Sequence, residues 1–415
     1  MRTTIAVTMS LLFFLLPLRA RAESDTISLK ELEQEAVQSN PELRMSEKKV
    51  ESADEKKALA AALPDPMIGY MMQNVGAPFV WSVGKEDMSM QGLIVTQEIP
   101  FPGKLSTMGN AAGKIADRER ENSREIKLRV LSSLRNSYYV YYLAFKSMEI
   151  LIQTKDLMKN IQRIAETRYS TGQGMQQDVL RAQLEVSMLL DRIAEEERKK
   201  ETQTSMINSL VGRNPLAPLG SPEALPRKAL ERNIDELASM AQAYSPLLVG
   251  KQRMVEQNEF EVSSRKKEYL PDMVVSGGWF KRGDLADVWQ ASIMFRVPLY
   301  FWNKSTGVRA ANAELQSARY DLDATKLMVL SRMRDLHATA KTSEHHLDLY
   351  DTGIIPQARM ALQSTMSNYQ VGKTDFMALL DSQSLLLKYQ LMEQEELVNL
   401  NKTLSQISEM TGEEL

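Results

Sequence analysis

The chain of 415 residues contains no cysteine. That excludes a disulfide framework and also an anchor acylated on an N-terminal cysteine. Only three histidines are present, and no set of His, Asp and Glu stands at metal-ligand spacing around them. A Gly-rich phosphate loop is missing too. These absences argue against an enzyme, so no catalytic residue, metal site or cofactor is expected. Aromatic residues make up only 7%. Basic residues (51) do not exceed acidic ones (54), so nothing points to nucleic acid. After the first twenty residues no apolar stretch approaches the roughly 18 that a membrane-spanning helix needs. A mature chain that enters a membrane must do so by strands.

The N-terminus reads as a secretory signal over residues 1–22. Arg2 supplies a positive start, Ile5 to Leu18 an apolar run, and Ala20-Arg21-Ala22 a cleavage site. Its removal takes away three arginines and no acid, which leaves 48 basic against 54 acidic residues and a charge of about −6.

The rest is rich in Ala, Glu, Lys, Leu, Met, Gln and Arg, a helix-favouring mixture. It also matches itself at a constant offset. Tyr169 matches Tyr369, Gly172 matches Gly372, Gln183 matches Gln383, and Leu210-Val211-Gly212 matches Met410-Thr411-Gly412, all 200 residues apart. Such a period predicts an internal two-fold repeat. One unit is expected over 23–212 and another over 228–415, with the Pro- and Gly-rich stretch 213–227 as an ordered linker between them.

Each unit shows the same order. Helix is expected from Ser28 to about Leu63, broken at Asn40-Pro41, and again up to Leu270, broken at Ser245-Pro246. The prolines Pro64 and Pro271 end these helices. The period then changes. Strands are predicted at Met67–Gln73 and Gln91–Ile99, and at Met273–Phe280 and Trp289–Val297. In the last of these Ala291, Ile293, Phe295 and Val297 share one face, and Gln290, Ser292, Met294 and Arg296 the other. One apolar and one polar face suits either a membrane barrel with a wet interior or a half-buried soluble sheet. Trp81, Trp279, Trp289, Tyr300 and Trp302 lie near the strand ends, as aromatic girdles do. Four strands cannot close a membrane barrel, and an open sheet cannot stand in lipid. If the strands span a membrane, several chains share one barrel.

Long helical hairpins follow, expected over 103–212 and 304–412. Gly103 to Tyr169 as continuous helix would reach roughly 100 Å and needs coiled-coil partners. Apolar seams are legible at Ile150, Leu157, Ile161 and Ile164, and at Leu397, Leu400, Leu404 and Ile407. The charged run Glu195–Lys200 reads as a solvated face.

The ordered set of motifs resembles the TolC family of outer-membrane channel-tunnels over essentially the whole mature chain. The motifs are Asn40-Pro41 with Ser245-Pro246, the stretch Gln97-Glu98-Ile99-Pro100-Phe101-Pro102-Gly103-Lys104, Arg168-Tyr169-x-x-Gly172, and Tyr369-x-x-Gly372 followed by Leu379-Leu380-Asp381. The resemblance implies a mainly α fold with a small β part. Long coiled-coil hairpins would form an α-barrel across the periplasm, and four strands per chain would join a twelve-stranded barrel in outer-membrane lipid. It implies a homotrimer that works with a periplasmic adaptor and an inner-membrane RND-type pump. The stretch beginning at Gln97 is nearest the heavy-metal branch. Five methionines (Met67, Met71, Met72, Met88 and Met90) lie around the first strand pair, but soft packing explains them better than metal binding. His337, His345 and His346 read as surface histidines of a long helix.

The resemblance also assigns the tips. Tyr369 corresponds to the family's gate tyrosine, Asp381 to a pore acid, and Asp178 to the aspartate that bonds across to the gate. Ala378 replaces a second pore aspartate, so the acid ring would be single. Thr374 replaces the basic gate partner, and Lys373 beside it is the expected substitute. Three copies of Asp381 around one axis would favour cations. Gly172 and Gly372 mark the turns where an adaptor would dock, and each can take positive φ in a tight turn. The function expected is a passive exit duct for metal cations or toxic small molecules. The alternatives are a type I secretion or multidrug duct of the same fold, and a soluble periplasmic coiled-coil scaffold.

Overall fold

The computed structural model describes residues 26–76, 83 and 86–412. The expected signal sequence and Trp81 lie outside the described residues. Helices α1 (Leu29–Ser39) and α2 (Pro41–Ala61) meet at Asn40. The Asn40 side chain accepts from the Glu42 and Leu43 amides at 2.8 and 3.2 Å and donates to the Leu210 carbonyl at 2.8 Å. It therefore caps α2 while Pro41 fills the first helical position, where no N–H is needed. Helices α5 (Ile234–Tyr244) and α6 (Pro246–Lys267) meet at Ser245 with Pro246 again at the first helical position, but the Ser245 side chain makes no capping bond.

Strands β1 (Met67–Gln73), β2 (Met90–Ile99), β3 (Asp272–Arg282) and β4 (Leu285–Arg296) form one antiparallel sheet in the order β1-β2-β3-β4. Both strand pairs thus share a sheet. β3 and β4 run longer than their patterns predict, because the hairpin continues to a tight turn at Gly283, which has φ 71°. The register sorts side chains by chemistry. Tyr70 faces Leu93, Leu93 faces Trp279, and Trp279 faces Trp289. Ile68 with Val95, and Ile293 and Phe295 on β4, extend this face, and all of these side chains are exposed. The opposite face carries Ser276 hydrogen-bonded to Ser292 at 2.6 Å, and Arg296 paired with Glu98 at 2.5 Å. An exposed apolar face this wide is not left in water by a soluble monomer. No helix among the described residues is long and apolar enough to cross a membrane.

Helix α3 (Lys104–Ser170) has 67 residues and spans roughly 100 Å. A turn joins it to α4 (Gln176–Leu210). The second hairpin consists of α7 (Phe301–Leu349), a π turn (Tyr350–Ile354), α8 (Ile355–Gln370) and α9 (Phe376–Thr411). Near the sheet α2 packs on α3, α3 on α6 and α6 on α7, while farther away α3 packs on α4 and α9. Because α3 meets two helices there, its buried row is Leu151, Met158, Ile161 and Ala165. The predicted seam residues Ile150, Leu157 and Ile164 flank that row, half-buried. On α9, Leu400, Leu404 and Ile407 are buried as the spacing predicts. In the charged run, Glu195–Arg198, Glu196–Lys199 and Glu197–Lys200 pair along the helix surface.

The stretch between α4 and α5 has an isolated bridge, Ile27 to Pro222, and otherwise no strand or helix. Its order comes from tyrosines of α3. The Tyr141 hydroxyl donates to the Gly220 carbonyl at 2.8 Å, and buried Tyr138 lies beside it.

Candidate functional site

The two hairpin turns are built alike. In the first, the Gly172 amide bonds the Tyr169 carbonyl at 3.0 Å and the Gln173 amide bonds the Arg168 carbonyl at 2.8 Å. In the second, Gly372 bonds Tyr369 at 3.1 Å and Lys373 bonds Asn368 at 2.8 Å. Gly172 and Gly372 hold φ of 71° and 76°, the left-handed step that ends a helix in a Schellman turn. Asp375 caps α9 by accepting from the Ala378 amide at 2.8 Å.

The turns meet at Tyr369, which is 2% exposed. Its hydroxyl donates to Asp178 Oδ2 at 3.2 Å, from the first turn of α4. Its ring lies 5.5 Å from Phe376 in an edge-on arrangement. The Arg168 guanidinium sits over the ring, 4.8 Å from its centre. Arg168 Nη2 donates to the Gln173 carbonyl at 3.0 Å, and Nη1 donates to the Tyr369 carbonyl. Burial, and then the Asp178 carboxylate, push the Tyr369 phenol up to about 12. The phenol therefore stays a proton donor to Asp178 across the physiological range.

Of the residues singled out from sequence, the structure thus brings together Tyr369 and Asp178. Lys373 is exposed and Thr374 half-buried, and neither bonds to Asp178 among the described residues. Asp381 is exposed on α9, with no ion-pair partner among the described residues. Arg168 and Phe376 were not singled out as site residues. Arginine in the last turn of a helix commonly reaches for terminal carbonyls, and this one reaches across to another helix. No group of three or more His, Cys, Asp or Glu able to hold a metal occurs among the described residues. His345 is exposed, and His346 Nδ1 lies 3.3 Å from Glu396.

The arrangement has no nucleophile or acid–base pair in a substrate cleft. It is a pair of helical tips fastened to each other at the end of two long hairpins, far along the chain from the sheet.

Comparison with known proteins agrees with this architecture. The outer-membrane channel OprN superposes with a TM-score of 0.80 at 17% identity, over 92% of this chain and 89% of that one. The outer membrane protein VceC of Vibrio cholerae gives 0.80 at 17% identity, over 93% and 96%. CusC gives 0.79 at 16% identity, over 94% and 92%. At these identities the likeness establishes the fold. No curated protein matches the chain. The family model described as outer membrane efflux protein matches residues 32–213 and 237–413. The chain therefore belongs to the outer membrane efflux protein family, as an outer-membrane channel protein that extends into the periplasm.

Proposed function

We propose that three copies of this chain form the exit duct of a tripartite efflux system, fed by an RND-type inner-membrane pump through a periplasmic adaptor. The observation that carries this reading is a matching pair of open ends. The sheet stops at β1 and β4, and the helical wall beside it runs α2, α3, α6, α7 and stops at α2 and α7. Unpaired strand edges are not stable in lipid. Pairing β4 of one copy with β1 of the next removes every edge, and three sheets then make a twelve-stranded barrel, above the minimum of about eight. The face with Tyr70, Leu93, Val95, Ile293 and Phe295 meets lipid, and the face with Ser276, Ser292, Glu98 and Arg296 lines the lumen.

The two sequence units, 23–212 and 228–415, then place hairpins alternately around a periplasmic tunnel. Tyr369 and Asp178 form the gate, with Lys373 and Thr374 beside it, and the Gly172 and Gly372 turns meet the adaptor. Three exposed Asp381 carboxylates around one axis raise the local concentration of cations, which supports metal cations, or toxic small molecules of positive charge, as cargo. A type I secretion or multidrug duct shares the same framework, and cargo is what separates them. The soluble scaffold is set aside because the family is one of the outer membrane.

The test is the native mass and planar-bilayer conductance of the purified protein. A trimer that inserts and conducts supports the duct. A monomer, or a folded protein without conductance, overturns it. Sensitivity of a deletion strain to metal salts against its sensitivity to drugs separates the cargo readings.

A further inference from the structure

We infer that Arg168 is the clamp that fastens the two hairpin tips of one protomer, so that opening of the tip requires its release. This rests on the exit-duct reading and adds a residue to its gate.

The argument starts from a difference between two tyrosines. Tyr169 and Tyr369 stand at equivalent positions of turns with the same hydrogen bonds. Yet Tyr169 is 48% exposed and Tyr369 is 2% exposed. The backbone of the turn therefore does not bury the ring. What differs is the side chains around it. Tyr369 has Arg168, Asp178 and Phe376 as neighbours. At an offset of 200 their counterparts are Asn368, Ala378 and Gln176. Each of the three neighbours is present once, and together they make a one-way socket for the second hairpin.

Within that socket Arg168 has a distinct part. Asp178 touches the far end of Tyr369, and Phe376 is on the same hairpin as Tyr369. Arg168 binds both turns at once, through the Gln173 carbonyl of its own and the Tyr369 carbonyl of the other. The latter carbonyl belongs to the C-terminal turn of α8, where a cation is favoured by the helix dipole. A planar guanidinium can donate from two edges while its face lies on a ring, and an ammonium cannot. Arg168 Nε is buried without an acceptor, so the clamp is one bond short of full satisfaction. At the position where the family resemblance places a basic gate residue stands Thr374, and Lys373 points to no ion-pair partner among the described residues. The positive charge at the latch comes from the first hairpin instead.

The experiment is single-channel recording of the full-length protein and of Arg168→Ala in planar bilayers, together with thermal melting of the trimer. The expected result is a severalfold rise in mean conductance or open probability for Arg168→Ala, and a smaller rise for Arg168→Lys. Each should come with wild-type insertion. A purely structural arginine would lower the melting temperature and leave conductance per channel unchanged, and that result overturns the clamp. Should Arg168→Ala fail to assemble, Arg168→Met keeps the packing of the stem without its donors. Raised conductance there supports the clamp and wild-type conductance overturns it. Absence of conductance in the wild-type protein would instead overturn the exit-duct reading.

Discussion

The Tyr138 hydroxyl joins two distant segments, donating to the Ile27 carbonyl and accepting from the Glu223 amide, both at 2.9 Å. One buried phenol of α3 thus ties the start of the described chain to the linker between α4 and α5. Tyr138→Phe removes both bonds and leaves the Glu223 amide and the Ile27 carbonyl only their long mutual bond of 3.4 Å. The expected cost is about 1–3 kcal/mol of stability, read as a lower denaturation midpoint with unchanged insertion. A wild-type midpoint would mean that the linker is held by its backbone bridge alone.

Alkali should loosen the same region. Burial pushes Tyr138, Tyr139 and Tyr141 up to about 12, against about 10 in an unfolded chain. A raised folded value means that the folded state holds these protons more tightly. The contribution is fully present below pH of about 10 and is lost as pH rises through about 12. Denaturation midpoints should be flat around pH 8 to 10 and fall above that. Tyr138→Phe should flatten part of the fall, and an unchanged slope in that variant would place the effect elsewhere.

Two glycines of the sheet should respond oppositely to the same change. A Cβ on Gly92 would lie 1.9 Å from the Trp279 carbonyl oxygen of the neighbouring strand, whereas one on Gly277 would meet nothing closer than 4.0 Å. Backbone cannot yield as a flexible side chain does. Gly92→Ala should abolish recovery from the outer-membrane fraction, and Gly277→Ala should leave it near normal. Equal recovery of the two would show that β2 and β3 do not approach this closely in the membrane.

The acid ring has its own expected signature. Asp381→Ala should reduce the cation-to-anion permeability ratio and block by divalent cations severalfold, while conductance in high salt changes little because exposed charges are screened there. Unchanged selectivity would keep the duct and remove the ring.

Much of the fold was legible because its punctuation is local. Prolines at 41, 64, 246 and 271 mark breaks that proline geometry imposes wherever it occurs. The bounds of β1 follow from its flanks, and those of β3 and β4 do not, since a hairpin extends until its turn closes. At the tip, Tyr369 and Asp178 came from resemblance, and nothing in their local sequence places them within bonding distance. Arg168 was missed for a related reason. Its spacing says that it ends a helix, but the carbonyl it binds lies 201 positions away, and the 200-residue repeat makes the two turns equivalent without saying which side chain crosses between them.

The π turn gives the second hairpin a phase slip. Buried residues along α7 step by four and three without interruption, from Val329 through Met333, Leu336, Ala340, Ser343 and Leu347 to Tyr350. The next is Ile355, five residues on, after which the short steps resume at Ala358 and Leu362. One surplus residue turns the seam by about 100°. Above the slip the helix packs on both α6 and α9, and below it on α9. A single rod of residues thereby changes which of its faces is buried, with the change confined to five residues.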